Sequence, residues 1–429
     1  MEYIPRFVEA AIEAALADTR VVVVNGARQA GKSTVVRRVL RGVAGSEERR
    51  LDRPLELAAA RFDPDAFVRH DGLLAIDEIQ RAPELVLSIK DQVDLDPRPG
   101  RFLLTGSARV LGLRSLPDAL VGRTETIELW PFAQAEIERR SSDFIDALLG
   151  GSLDGLSTAA TERDEYFQRL GRGGFPEAVR RDGRRRSRFF EGYVDDLIDR
   201  DISTLGDIGR RGAMTRLVGL AAATVGQLYV PAQLARAASI DAKTADRYVS
   251  LFEEVFLFKR LPAWTASSTK RAVRAPKLLG VDSGLVADLV GRSPARLAKG
   301  DPLAGPLLEN FALSEIARLV PAASERARLF HFRTKDGVEV DGVLETRDRR
   351  IAGIEVKAAE SVRAEDLRGL TYLRDRVGED FVAGVVLHTG RAIRSLGDRL
   401  WAVPLDCLWS GPTTTPVAGS ASAEPDPGS

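Results

Sequence analysis

Sulfur is scarce in this chain: one residue of 429 is cysteine, Cys407, so no intramolecular disulfide can form and the core must rest on apolar burial. Net charge is missing too, with 62 Lys and Arg against 62 Asp and Glu. That balance neither favours nor opposes a nucleic-acid partner, because a local basic patch suffices for one. Long hydrophobic runs are absent. The longest apolar stretch, Leu217 to Val225, falls short of the roughly 18 residues a membrane helix needs, which argues against a membrane partner. The N-terminus, MEYIPRFVEA, carries charge where a signal peptide would carry an apolar core, so the expected compartment is the cytoplasm.

What is present describes a globular protein, 44% hydrophobic and 29% charged. At roughly 100 to 200 residues per domain the length predicts two to four domains, and the pattern along the chain predicts three. Residues 1–145 read as α/β with a parallel sheet: a helix over Pro5 to Leu16, then short apolar strands at Arg20 to Val24, Gly72 to Ile76 and Arg101 to Leu104. Residues 146–268 read as helical, entered through a Gly/Ser link over Ser141 to Ser157. Strands return in 269–410, most clearly as a hairpin from Gly337 to Lys357 turning at Arg347 to Arg350. Residues 411–429, rich in Pro, Thr, Ala and Ser, are expected to be a disordered tail.

The segment Gly26-Ala27-Arg28-Gln29-Ala30-Gly31-Lys32-Ser33 fits the pattern GxxxxGK[ST], between a strand and a helix that starts near Thr34. That spacing lets backbone amides wrap a chain of phosphates, with Lys32 on the β and γ oxygens and Ser33 on magnesium. The expected ligands are ATP and Mg2+. Asp77 and Glu78 end the next strand; Asp77 would order the magnesium shell and Glu78 would polarise the attacking water. Thr105 or Ser107 is a candidate polar sensor of the γ-phosphate, or else part of a plain strand exit. Arg123 is a candidate transition-state cation, in cis or on a neighbouring subunit through self-association of this domain; a solvated surface arginine fits the spacing equally.

Together, Tyr3-Ile4-Pro5-Arg6, GARQAGKS, Ile76-Asp77-Glu78-Ile79-Gln80-Arg81-Ala82-Pro83, Leu104-Thr105-Gly106-Ser107-Ala108 and Val121-Gly122-Arg123 resemble the prokaryotic AAA+-type ATPases that carry a C-terminal DUF4143 domain. The resemblance spans the first 130 or so residues. It implies ATP binding, a helical segment after the P-loop core and a nuclease-like terminal domain.

In the middle, Pro231 to Ala237 and Asp241 to Phe252 read as helix, tight turn and helix, with Val255 to Pro262 as the strand of a wing. Such a winged-helix unit would read DNA through Lys243, Thr244 and Arg247, with Tyr248 on the same helix, or else serve only to pack against protein. The run Arg180 to Arg188 would neutralise a nucleic-acid backbone or form a solvated helix face.

In the C-terminal part, Glu339 and Asp341 share one face of a strand, and Glu355 and Lys357 share one face of the next. Carboxylates and an ammonium gathered at a sheet edge call for a metal or a phosphate. Asp341, Glu355 and Lys357 resemble the acidic pair and lysine of PD-(D/E)xK nucleases, although Val340 stands where the leading proline would be. Glu309 is similar to the helix-borne acid of the resolvase-like branch. That resemblance implies a restriction-endonuclease-like α/β domain with magnesium on Glu309, Asp341 and Glu355, and DNA as a candidate partner. The reading is an ATPase coupled to a DNA-directed nuclease module. The alternatives are a nucleotide-switched regulatory protein with a noncatalytic module and an ATPase whose other domains only assemble subunits.

Overall fold

Four consecutive valines, Val21 to Val24, have no solvent exposure in the computed structural model of the chain, which describes residues 3–107, 120–202, 211–266 and 274–413. A β-branched run buried on both faces suits an interior strand of a parallel sheet. Accordingly β1 (Val21–Gly26) lies between β4 (Phe102–Gly106) and β5 (Thr124–Leu129). With β2 (Glu47–Arg50) and β3 (Leu74–Asp77) the order is β2-β3-β4-β1-β5, every pairing parallel. Side chains alternate across the sheet. Val22 and Val24 therefore join a core with α1 (Val8–Asp18) and α2 (Lys32–Leu40), while Val21 and Val23 pack with α5 (Leu85–Leu95) and residues of α3 (Pro54–Phe62) and α4 (Pro64–Val68). The sequence predicted β1, β3 and β4 and missed both edge strands. β2 is Glu-Glu-Arg-Arg and only half-buried; β5 shows only Ile127 and Leu129 as buried apolar residues.

The expected Gly/Ser link carries a helix instead. Phe144–Gly150 buries Phe144, Ile145, Leu148 and Leu149 in the main core, so this stretch is structural rather than a free connection. Further helices follow at Arg163–Arg172, Pro176–Val179, Gly183–Asp196 and Arg211–Ala223. The helix pair Pro231–Ala238 and Ala242–Glu254 is present as predicted. Ser239 supplies the left-handed turn, and Asp241 caps the second helix by accepting from the Thr244 amide at 2.9 Å. Tyr248 is buried in the core, which removes it from any reading face; Lys243 and Arg247 are exposed. β6 (Phe258–Leu261) pairs antiparallel with β7 (Lys277–Gly280) to make a two-stranded ribbon.

The rest is a six-stranded mixed sheet, order β12-β13-β11-β10-β9-β8. Its strands are β8 (Ala327–Arg333), β9 (Glu339–Thr346), β10 (Ile351–Lys357), β11 (Phe381–His388), β12 (Arg394–Gly397) and β13 (Leu400–Pro404). The predicted hairpin is β9–β10, but it lies inside the sheet rather than at an edge. The helix Ala304–Leu319 covers one face and Arg368–Val377 the other, so alternation of charged and apolar residues in β9 does not mean alternation of wet and dry. Asp341 is 7% exposed and Glu355 8%.

Three residues of the expected tail are pinned, since Thr413 bridges to Arg140 and the Ser141 amide donates to the Pro412 carbonyl at 2.9 Å. Residues 414–429 lie outside the described residues. No helix among the described residues is long and apolar enough to cross a membrane.

Candidate functional site

β1 ends at Gly26 and α2 starts at Lys32, which leaves Ala27, Arg28, Gln29, Ala30 and Gly31 to turn the chain. Gly26 is dictated by space, because a Cβ there would stand 2.1 Å from the Leu129 carbonyl oxygen. Gly31 caps α2 at φ +102°, a conformation in which an L side chain is strained. α2 closes its first turn through the Thr34 and Val35 amides, which donate to the Gly31 carbonyl at 3.1 and 3.0 Å, and the amides before them at its N-terminus make an anion-binding end. Lys32, 5% exposed, donates to the carbonyls of Gly26 and Ala27, each at 2.9 Å, and so holds its ammonium over the loop.

Parallel strands bring their C-terminal ends to the same edge, and there Asp77 meets the loop. Ser33 Oγ donates to Asp77 Oδ2 at 2.8 Å, and the Thr105 hydroxyl donates to Oδ1. A hydroxyl and a carboxylate side by side, with room for water, are the oxygen donors that suit magnesium. Glu78 takes a left-handed backbone, φ 61°, which turns its carboxylate out of the strand. Its amide donates to Thr105 Oγ1 at 3.2 Å, and its Oε2 accepts from Gln80 and from Ser107 Oγ at 3.2 Å. Gln29, Gly31, Lys32, Ser33, Thr34 and Glu78 line one cavity of about 900 Å³.

Arg123 is not brought to this cavity. It precedes β5 and so lies at the N-terminal edge of the sheet, where its carbonyl accepts from the Val21 amide. Its guanidinium is paired with Asp94, Nε to Oδ1 at 2.6 Å and a second nitrogen to Oδ2 at 3.0 Å.

The C-terminal carboxylates do come together, but around an ammonium that the sequence reading overlooked. Lys277 Nζ lies 2.7 Å from Glu309 Oε1, 2.7 Å from Glu339 Oε1 and 3.2 Å from Asp341 Oδ1. Asp341 Oδ2 accepts from the Val356 amide at 2.9 Å, and Lys357 Nζ reaches Glu355 Oε1 at 2.7 Å. Burial works to discharge Lys277, yet Asp341, Glu309 and Glu339 outweigh it and hold the ammonium above its usual range. Burial, then the charge of Asp341, pushes Glu309 and Glu355 each up to about 8.

The comparisons with known proteins follow these two constellations. Residues 18–138 match the model of the AAA domain. Residues 304–408 match a domain of unknown function, DUF4143, and residues 163–296 another, DUF8612. Over 352 residues the chain is 31% identical to uncharacterized proteins of Mycobacterium tuberculosis and Mycobacterium bovis, covering 81% of this chain and 72% of each relative. The chain belongs to the P-loop ATPase family that joins an AAA domain to a C-terminal DUF4143 domain. Among solved structures it is similar to a Walker-type ATPase of Pyrococcus abyssi, at 13% identity and TM-score 0.41 over 67% of this chain and 96% of that one. It is also similar to AMPPCP-bound DnaA of Aquifex aeolicus, at 16% identity and TM-score 0.26 over 58% and 86% of the two chains.

In this AAA–DUF4143 protein the nucleotide cavity draws on residues far from the P-loop. Arg6, 7% exposed, donates to the Ala30 carbonyl at 3.0 Å and to the Trp130 carbonyl at 2.6 Å, and pairs with Glu136 at 3.1 Å, which braces the loop from behind. Arg180 and Arg181 line the same cavity, both paired with Glu177. The basic run is thus divided: its first two members face the cavity, while Arg184, Arg185 and Arg188 are exposed. No local pattern signals such placements, because each depends on how distant helices pack.

Proposed function

We propose that this AAA–DUF4143 protein is a magnesium-dependent ATPase that couples nucleotide turnover to its C-terminal module. The convergence of Lys32, Ser33, Asp77, Glu78 and Thr105 at one sheet edge carries this reading. Lys32 leaves its carbonyl partners for the β and γ oxygens, while the loop from Gly26 to Thr34 supplies amides to the phosphates. Magnesium, when bound, neutralises the β and γ oxygens. Ser33 and Asp77 would hold it. Glu78 accepts a proton from water as the water oxygen bonds to the γ-phosphorus and the bond to the ADP oxygen breaks. Ser107 and Gln80 orient that carboxylate, and Thr105 ties the position of Glu78 to that of Asp77. Arg123 acts in trans in this scheme, on the nucleotide of a neighbouring copy.

Calorimetric titration with ATP and magnesium, together with a phosphate-release assay, tests the assignment. Lys32→Ala is expected to abolish measurable binding. Glu78→Gln is expected to bind as the parent does and to hydrolyse on the order of 10²-fold more slowly or worse. Parental turnover in Glu78→Gln would remove that residue from the mechanism.

The C-terminal module favours the regulatory alternative. The succession of the helix Ala304–Leu319, β8, β9, β10, the helix Arg368–Val377 and β11 supports a restriction-endonuclease-like reading, with Asp341, Glu355 and Lys357 as its acidic pair and lysine. A metal does not fit there as the residues stand, because Lys277 fills the space between Glu309, Glu339 and Asp341. Among the described residues no three of His, Cys, Asp or Glu are arranged to hold a metal ion. We therefore assign the module a noncatalytic role in this state, with DNA as the ligand to test first on the middle helix Ala242–Glu254 through its exposed Lys243 and Arg247. Gel-shift at low salt, with and without ATP, is expected to show DNA binding that persists in Asp341→Ala; cleavage lost in Asp341→Ala and Lys357→Ala would restore the nuclease reading.

A further inference from the structure

We propose that Lys277 is a tethered counter-ion that closes the C-terminal carboxylate cluster to divalent metal. The cage is built from one sheet and its covering helix, Glu309 on the helix Ala304–Leu319 and Glu339 and Asp341 on β9, whereas the cation arrives from outside on β7. Three separate carboxylates surround the ammonium: Glu309 and Asp341 accept hydrogen bonds from it at 2.7 and 3.2 Å, and Glu339 Oε1 stands 2.7 Å away as an ion-pair partner. With 2% exposure, Lys277 is sealed in that position.

A second oxygen marks the cluster as a cation cage that the lysine fills only in part. Glu355 is 8% exposed, and its Oε1 is paired with Lys357 while its Oε2 is buried with no hydrogen-bond partner. A buried carboxylate oxygen without a donor is costly. Lys277 makes its hydrogen bonds to Glu309 and Asp341, and Lys357 serves the other oxygen. A divalent ion in place of the ammonium would take oxygens from Asp341 and Glu309 and leave Glu355 Oε2 a ligand to bind, as hard cations with six or more oxygen partners require. One charge of the lysine stands where two would fit.

The tether is specific. Among the described residues β7 pairs with β6, Lys277 opposite Leu261 and Leu279 opposite Lys259, and Lys277 is also bridged to Leu228. Lys259 is ion-paired with Glu128 on β5 of the AAA sheet, and its ammonium lies 4.8 Å from the centre of the Trp130 ring. The ribbon therefore carries one lysine into the ATPase sheet and another into the carboxylate cage. A slide of β7 by one residue, about 3.3 Å, is enough to break all three contacts of Lys277.

This inference rests on the carboxylate geometry and not on ATP hydrolysis, so the test uses the full chain without nucleotide. Mn2+ alone is titrated and free Mn2+ is followed by electron paramagnetic resonance, with a thermal melt in parallel. The parent is expected to show no Mn2+ binding that depends on Asp341. Lys277→Met, which keeps the length of the side chain and removes its charge, is expected to bind one further Mn2+ on the order of tenfold more tightly or better, and to melt higher with the metal than without. Adding Asp341→Asn is expected to abolish both effects. Should three facing carboxylates prevent Lys277→Met from folding, Lys277→Met with Glu309→Gln relieves the repulsion and keeps Glu339, Asp341 and Glu355 as ligands. The idea fails if the parent binds Mn2+ through Asp341 as tightly as the variants do, or if folded variants gain no Mn2+ site.

Discussion

Arg180 and Arg181, in the turn between the helices Pro176–Val179 and Gly183–Asp196, have no local pattern that ties them to a nucleotide, yet both border the cavity of Lys32 and Glu78. Both pair with Glu177, a half-exposed carboxylate, and an exposed pairing of this kind is weak enough for a phosphate to compete with it. A hydrogen bond to a charged group contributes about 1.5–3 kcal/mol. Replacing both arginines by alanine should weaken ATP binding by about tenfold or more, while the melting temperature also registers the loss of the Arg181 guanidinium from the face of Phe189, 5.2 Å from the ring centre; calorimetry beside a thermal melt separates the two effects. Local residues were legible in the sequence because a P-loop is contiguous, and so were Asp77 and Glu78 at the end of an apolar strand. The left-handed backbone of Glu78, costing about 1–3 kcal/mol, left no trace in the sequence; neither did Lys277 nor the bracing role of Arg6, which was legible only as part of the segment Tyr3 to Arg6, because their partners are more than 20 residues away.

At the scale of elements, the strands that could be read were those buried on both faces, such as β1 and β4. β2 and β5 lie at the edges of the AAA sheet and lack that signal. The hairpin β9–β10 was legible from its polar turn, whereas its place inside the sheet was not, because β8 and β11 are recruited from either side. The ribbon and β8 are joined at His331, whose amide donates to the Pro262 carbonyl at 3.0 Å and whose carbonyl accepts from the Trp264 amide at 2.6 Å. Burial, with the Lys277 charge close by, pushes the imidazole down to about 4. The folded protein therefore resists a proton that the unfolded chain accepts near 6.5. The neutral ring leaves stability intact above pH 6.5; stability is lost as pH falls from 6.5 towards 4, with no further loss below. Urea melts from pH 7 to 4 should show this decline, and His331→Asn should flatten it.

Across the whole molecule, the chain ends are fastened to its middle. Asp406, fully buried, accepts from Thr158 Oγ1 at 2.8 Å and from the amides of Ala159 and Thr161 at 3.0 Å each. Asp406→Ala strands the buried Thr161 amide and leaves the exposed Ala159 amide to water, and is expected to cost about 1–3 kcal/mol, read as a lower midpoint in denaturant with the slope unchanged. The core cluster that holds Val22 and Val24 also holds Phe144, Tyr166, Phe311 and Trp409, so sequence-based partition into separate parts understates how much they share. A fragment ending near residue 140 would bare Trp130 and the α1 face of the sheet, and it is expected to aggregate on expression.

Arg123 lies at the rim of the sheet opposite the cavity, and the trans role proposed for it would make the rate depend on the abundance of the protein. If Arg123 serves the nucleotide of a neighbouring copy, as proposed above, turnover per molecule should climb with protein concentration. Neither Arg123→Ala nor Glu78→Gln should hydrolyse well alone, but an equimolar blend of the two should regain activity, because junctions form at which an intact arginine faces an intact glutamate.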